Sequence, residues 1–598
     1  MASSHDWFVD DAADAGLRFV HFNGMSGQYY FPEMLPGGVA LLDYDKDGDL
    51  DVYFTQATLL GEGRTMEQAL IKPAEPLPLR GRLYRNDLRA DGDGTRRLHF
   101  TDVTEASGID ARGYGMGVAT GDFDNNGCVD LYLTFVGRNQ LHRNNCDGTF
   151  TDVSKSSGTD GTGWAVSAAF VDYDRDGWLD LYVGNYVQYE TTNDKRCTGL
   201  TGRRDYCTPK VYAPQPDRLY HNERNGRFTD VTGRALKGGP FGPALGVVTA
   251  DFDNDGWPDI YVANDGGENL LWMNRRNGTF ENVGLLAGAA LSADGKPEAS
   301  MGVDAGDFDN DGDEDLFMTH LPVEGNDLYV NNGAGVFDDD SARTGLGPAS
   351  LGYSGFGTAW FDFDNDGWLD LLIANGAIEA SKATVPALSK VEGPAPVVPA
   401  PPALPALLYA EQNKLFRNLG NGHFADVTSQ AGDVFTPLAV SRGAAFGDLD
   451  NDGDMDVVIV NLHSPAVLLI NNLMGPAAAG PSPTGTARTS SARPHWLGLR
   501  LVTPRGSDAL GARVEVRLQG GRTLWRRARS DGSYASANDP RVLVGLGDET
   551  TPPTVRVRWP NGEVEEWPSQ SIDQWTTLTE GRGRAVAGPR GAARGAAR

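Results

Sequence analysis

The sequence predicts an all-β protein, a seven-bladed β-propeller with calcium-binding blade loops followed by a small C-terminal antiparallel β domain. Three observations carry this reading. An acidic loop of the form Asp-x-Asp-x-Asp/Asn-Gly-x-x-Asp begins at Asp43, Asp122, Asp172, Asp251, Asp307, Asp362 and Asp448. Apolar runs flank nearly every copy, so one supersecondary unit is used seven times. Recurrent strand motifs follow the loops, among them Leu83-Tyr84-Arg85-Asn86 and Phe100-Thr101-Asp102-Val103-Thr104.

The third unit shows the plan. Ala165 to Val171 is a first strand, Asp172 to Asp180 the loop, and Leu181-Tyr182-Val183 a second strand. Arg218 to Asn222 forms the third strand, and a turn at Asn225-Gly226 leads into a fourth that opens at Phe228. Turns of the Asn-Gly type join antiparallel neighbours. One such sheet cannot bury both faces, and radial closure solves that problem without protective caps. The seventh unit lacks a Phe-x-Asp-Val-Thr strand, whereas Trp7-Phe8-Val9-Asp10 resembles one, so the N-terminus is expected to supply it.

The expected domains are therefore a propeller over 1–474, a flexible Pro/Ala/Gly/Ser-rich linker over 475–491, a β domain over 492–580 and a disordered Gly/Ala/Arg tail over 581–598. A second Pro/Ala-rich stretch, 385–406, reads as an excursion from the sixth blade.

The loops supply oxygen donors at alternate positions, as a hard divalent cation needs, with glycine allowing the sharp turn. The ligand sets are Asp43, Asp45, Asp47 and Asp51; Asp122, Asp124, Asn126 and Asp130; Asp172, Asp174, Asp176 and Asp180; and Asp251, Asp253, Asp255 and Asp259. The last three are Asp307, Asp309, Asp311 and Asp315; Asp362, Asp364, Asp366 and Asp370; and Asp448, Asp450, Asp452 and Asp456. Up to seven structural Ca²⁺ ions follow, with a weaker site where Asn126 replaces a carboxylate. The formal charge of -29 argues against nucleic acid and for cations as partners.

No run of 18 apolar residues marks a membrane span. The start of the chain shows no signal peptide, which favours a cytoplasmic protein, with an extracellular one following if a leader was removed. Cys128/Cys146 and Cys197/Cys207 are sequence-close pairs that read equally as disulfides or as thiols.

On the face opposite the acidic loops, residues at strand ends surround the mouth of the expected channel. His320 is the candidate proton-transfer group, Arg442 the anchor for an anion or carbonyl, and Glu33 a partner for His320. No nucleophile elbow, phosphate loop, dinucleotide fingerprint or His-Glu-x-x-His helix is present.

The repeats resemble the FG-GAP/VCBS family, also seen in integrin α-chain propellers. Gly511-Ala512-Arg513-Val514, Asp539-Pro540-Arg541 leading to Gly545-Leu546-Gly547, and Val557-Arg558-Trp559-Pro560-Asn561-Gly562 resemble an ASPIC/UnbV domain. The combination is similar to the cartilage acidic protein-like family, whose bacterial relatives include proteins associated with enediyne antibiotic biosynthesis. That resemblance implies a role in secondary metabolism, with a small polar or polyketide-like ligand, but carries over no reaction; with the familiar catalytic motifs absent, an enzyme here is expected to be a cofactor-independent isomerase, cyclase or addition enzyme. The alternative is a non-catalytic glycan or protein recognition module.

Overall fold

The computed structural model describes residues 6–90, 96–199, 202, 204–237, 239–379, 408–473 and 493–586. The excursion 385–406, the linker 475–491 and residues 587–598 lie outside the described residues.

Each repeat forms an antiparallel meander. In the fourth unit Ala244–Ala250, Asp259–Asn264, Leu270–Asn274 and Phe280–Asn282 pair in that order. Alternate side chains of the second strand enter different cores, as the two-residue period of a strand requires. Ile260 and Val262 pack with Tyr182 and Leu219 of the preceding unit, while Tyr261 and Ala263 pack with Leu316 and Met318 of the next. In the last unit Phe8–Asp10 takes the outer place, with Phe8 opposite Asn471 and Asp10 opposite Leu469.

The expected all-β, seven-bladed propeller is corrected by this structure. The fold is mixed: among the described residues there are seven α-helices, each of four or five residues. Most follow an outer strand whose final Asp accepts a backbone N–H two residues on, as Asp152 does from Ser154 at 2.9 Å. A left-handed glycine such as Gly158 then ends the turn. Four residues are too few to show a helical period in the sequence. The repeats also form six sheets rather than seven, because Thr162–Val171 pairs with Asp130–Arg138 and joins the second and third units into one open eight-stranded sheet.

The C-terminal domain is corrected as well, since it is not purely antiparallel: His495–Val502 runs parallel to Trp575–Thr579. Its second sheet reaches beyond residue 580, where Arg584 and Ala585 pair with Glu566 and Glu565. The two sheets enclose a core that includes Leu499, Val514, Val544, Val557 and Trp559.

An asparagine relay couples neighbouring repeats. The Asn ending each third strand donates its side-chain N–H to the carbonyl of the second loop residue in the preceding unit. Asn144 reaches Tyr44 at 2.8 Å, Asn222 Phe123 at 2.8 Å, Asn274 Tyr173 at 2.8 Å and Asn331 Phe252 at 2.9 Å. Asn418 reaches Phe308 at 2.9 Å and Asn471 Phe363 at 2.8 Å, while Asn86 of the first unit reaches Leu449 of the last at 2.9 Å.

The first strands lie side by side in chain order, and Ser441–Gly447 also lies against Val39–Leu42. The space they surround is filled by residues 529–539 of the C-terminal domain. This segment bonds to every repeat. Ala537 exchanges backbone bonds with Val39 at 2.9 Å and Leu41 at 3.0 Å, and Ala535 O accepts from Val118 N at 3.1 Å. Ala535 N donates to Ser167 Oγ at 3.1 Å, and Thr249 N to Asp531 Oδ2 at 2.8 Å. Val303 N donates to Ser533 O at 3.1 Å, Thr358 N to Ser533 Oγ at 3.2 Å, and Asp539 N to Phe446 O at 3.0 Å. A Cβ on Gly38 would stand 2.2 Å from Ala535 O, so this approach requires glycine.

Both cysteine pairs are bridged, Cys128 to Cys146 and Cys197 to Cys207. The expectation of a cytoplasmic protein is thereby corrected, because such bonds persist in oxidising compartments. Among the described residues no helix is long and apolar enough to cross a membrane.

Tyr534 is fully buried and donates its hydroxyl to Leu35 O at 2.8 Å. Tyr534→Ala is expected to destabilise the protein by about 3–5 kcal/mol, the range for large aromatic deletions in cores, as measured by equilibrium urea unfolding.

Candidate metal loops and a filled centre

The seven acidic loops share one backbone path. Their fourth residues, Lys46, Asn125, Arg175, Asn254, Asn310, Asn365 and Asn451, are all left-handed, with φ between 54° and 65°. Asparagine tolerates this region better than most residues, which explains its frequency there. The first Asp of a loop gathers the turn's backbone donors: Asp172 accepts from Asp176 N at 3.0 Å and Gly177 N at 2.9 Å. The ninth Asp ties the loop to the third strand. Asp259 accepts from Phe252 N at 3.0 Å and from Asn274 N at 2.7 Å, and the other six copies do the same.

Burial makes these carboxylates reluctant to ionise without a cation. It pushes Asp172 up to about 7 and Asp307 to about 8, against the pull of their backbone hydrogen bonds. Asp130, Asp259 and Asp456 are raised well above the usual range for the same reason, with neighbouring aspartates adding to the shift. Buried oxygens of Asp43, Asp45, Asp174, Asp251 and Asp364 have no hydrogen-bond partner among the described residues. An all-oxygen donor set with orphaned carboxylate atoms fits a hard divalent ion.

The loops are not equivalent. In the second, Asn126 donates to Asn144 O at 3.1 Å, and the Cys128–Cys146 bridge joins the loop to the following turn. In the third, His221 Nδ1 stands 3.1 Å from Asp180 Oδ1. In the sixth, Arg417 pairs with Asp364 at 2.7 Å and Asp366 at 2.6 Å. The C-terminal domain adds cations and donors from outside. Arg500 pairs with Asp43 at 3.0 Å, Arg558 lies 3.5 Å from Asp251, and Trp575 Nε1 donates to Asp448 Oδ2 at 3.0 Å. Arg541 donates to Asp448 O at 2.8 Å and Asn451 Oδ1 at 2.7 Å.

On the opposite face, the residues expected to line an open mouth are interior. Arg442 is fully buried and donates to the carbonyls of Met34 (2.6 Å), Gly376 (2.7 Å), Ser441 (2.7 Å) and Ala377 (3.1 Å). Its guanidinium stacks on Phe356 at 4.0 Å. Burial lowers it to about 10, still charged at neutral pH. Glu33 is fully buried, accepts from Ser26 Oγ and Tyr206 Oη at 2.9 Å each, and is raised by burial to about 7. His320, also fully buried, contacts Ser300 Oγ at 3.0 Å, and burial lowers it to about 4. The three residues thus serve separate hydrogen-bond sets.

The mouth itself is covered. Tyr186, Tyr189 and Tyr212, from the insertion that carries Cys197–Cys207, pack with Phe31, Trp164 and the segment residue Tyr534. Sequence reasoning missed Tyr534 and the relay asparagines. The repeated Asn at one strand register was the available signal.

A scan against family models matches an FG-GAP-like repeat over residues 129–183, 202–262, 251–318, 307–373 and 406–459, and an ASPIC and UnbV domain over 503–585. The chain carries FG-GAP repeats and a C-terminal ASPIC/UnbV domain and is related to the cartilage acidic protein family. Cartilage acidic protein 1 of Mus musculus and that of Homo sapiens are each 28% identical over 177 residues, 28% of this chain. The chain thus matches about a quarter, 26%, of the length of these curated relatives. The expected tie to secondary metabolism and antibiotic biosynthesis is corrected, because the curated relatives are vertebrate cartilage acidic proteins.

Among solved structures, the chain is similar to an Agrocybe aegerita lectin described as recognising non-reducing terminal N-acetylglucosamine. That likeness has a TM-score of 0.36 and 16% identity over 72% of this chain and 86% of the lectin. It is similar also to a Bacillus licheniformis rhamnogalacturonan lyase, with a TM-score of 0.28 and 12% identity over 73% of this chain and 90% of the lyase.

The raised carboxylates set the sign of a pH effect. Asp172 and Asp307, at 3.8 when free, stabilise the cation-free fold fully below that value and lose this contribution as pH rises through about 7 and about 8. In chelator the melting temperature is expected to fall from pH 5 to pH 8, and saturating Ca²⁺ is expected to remove the slope, as followed by differential scanning calorimetry.

Proposed function

We propose that the protein is a non-catalytic recognition module for a glycan or a protein, working in an oxidising compartment, with repeats held by hard divalent cations. The observation that carries this reading is the filled centre. Catalysis at the mouth would need Glu33, His320 and Arg442 to face one accessible cavity. All three are buried and engaged elsewhere, and residues 529–539 occupy the space between the first strands. A rigid scaffold closed at its centre presents loops on its outside, which suits recognition.

In each loop the side-chain oxygens at the first, third, fifth and ninth positions, all carboxylates except at Asn126, would hold the ion, calcium being favoured by donor type and reach. The ninth Asp keeps ligating capacity, because each of its oxygens has a second lone pair beyond the one engaged by a backbone N–H. The ion would neutralise the clustered charge and tie first, second and third strands together. Asn126→Asp restores a fourth carboxylate and is expected to tighten calcium at the second loop, read as a higher melting temperature at limiting Ca²⁺.

Microarrays of glycans and of secreted proteins, probed with the full chain, test the reading. Discrete binding in calcium that disappears in chelator is expected. Turnover of a small molecule by the pure protein, abolished by His320→Gln at unchanged melting temperature, would overturn it.

A further inference from the structure

Away from the acidic loops, a different donor set converges in the fifth unit, at the end of its sheet opposite the acidic loop. His320 lies just beyond the second strand Asp315–Met318, Asp327 opens the third strand Asp327–Asn331, and Glu298 precedes the first strand Val303–Gly306. His320 Nε2 stands 4.0 Å from Glu298 Oε2 and 3.9 Å from Asp327 Oδ2. One donor atom from each of the three residues lies within 4.8 Å of the other two.

The surroundings are those of a built site. His320 is fully buried, the Asp327 side chain is 7% exposed, and that of Glu298 is 15% exposed, which leaves one edge open to solvent. Glu298 Oε2 is itself buried and has no hydrogen-bond partner among the described residues. A buried carboxylate oxygen without a donor, 4.0 Å from an imidazole nitrogen, has to take up either a proton or a cation. Bonds of about 2.0–2.2 Å to tetrahedrally disposed donors put those donors about 3.4 Å apart, so each carboxylate would approach His320 by about half an ångström to share an ion with it. Tyr329 Oη lies 3.1 Å from Asp327 Oδ2 and 3.0 Å from Leu291 O, its one proton shared between them, in the position of a group behind a metal ligand. Ser300 Oγ hydrogen-bonds His320 Nε2 at 3.0 Å, so an ion binding that nitrogen would displace this contact and meet the hydroxyl beside it.

We infer that Glu298, His320 and Asp327 form a binding site for a divalent transition ion of the Zn²⁺ class, separate from the acidic loops. Mixed imidazole and carboxylate donors select this class, whereas the loops offer oxygen donors that suit calcium, the third alone having an imidazole, His221, at hand. Three protein ligands leave one coordination position for water or the Ser300 hydroxyl.

Titration of the full chain with Co²⁺ in saturating Ca²⁺, followed by visible absorption and competed with Zn²⁺, tests the assignment. The expected result is about one Co²⁺ per chain with a four-coordinate spectrum, displaced by Zn²⁺. His320→Gln and Glu298→Gln should each abolish that spectrum, Tyr329→Phe should weaken the affinity about 10- to 100-fold, and His221→Gln should leave it intact. Wild-type protein that takes up no Co²⁺ overturns the inference. So does His320→Gln protein that keeps its melting temperature and calcium content and still binds. Should His320→Gln fail to fold, Glu298→Gln decides the matter, and its undiminished Co²⁺ uptake overturns the inference.

Discussion

Residues 529–539 are the contact on which the rest of the molecule depends. A chain segment that hydrogen-bonds to all seven repeats converts a series of neighbouring sheets into one body with the C-terminal domain. It also sets that domain over the acidic loops, so Arg500, Arg541 and Arg558 reach carboxylates or loop carbonyls that would otherwise face water. The first strands are rich in small residues, and Gly38 shows why: the backbone of the segment lies where a Cβ would stand.

The second constraint is charge. Loops with three to six carboxylates each cannot all ionise in a half-buried setting, and the protein answers in three ways. Backbone N–H groups gather at the first and ninth aspartates, arginines enter from the third strands and from the C-terminal domain, and orphaned oxygens remain that suit a bound cation. The sixth loop leans most on arginine through Arg417, the second on a disulfide, the third on His221. A shared backbone path therefore carries unequal sites, and each inequality was written in a single residue.

How much of this was legible depended on distance along the chain. The acidic loops were, because all their donors fall within nine residues of one another. The third strands were, because Leu-x-x-Asn recurs at a fixed register. The role of that Asn was not, since its acceptor lies in the preceding unit. The short helices escaped because one turn leaves no period to detect. The fusion of the second and third sheets rests on three pairings from Arg138 opposite Thr162 to Val136 opposite Trp164, and nothing in those residues marks it. Among the candidate site residues, type was a poor guide: His320, Arg442 and Glu33 look chemical in a list, yet their surroundings decide what they do. The segment from Arg529 to Asp539 was the least visible, because Ser, Ala, Gly and Asn in a row read as a surface turn and become a core only when first strands surround them.

The functional reading follows from that occupied centre, and it stands or falls with it. Hydrogen–deuterium exchange of the full chain in saturating calcium, resolved at Ser533 to Ala537, is the most direct test. Protection of those amides equal to that of the first strands they bond to is the predicted result. Exchange there as fast as in an exposed loop would contradict the account.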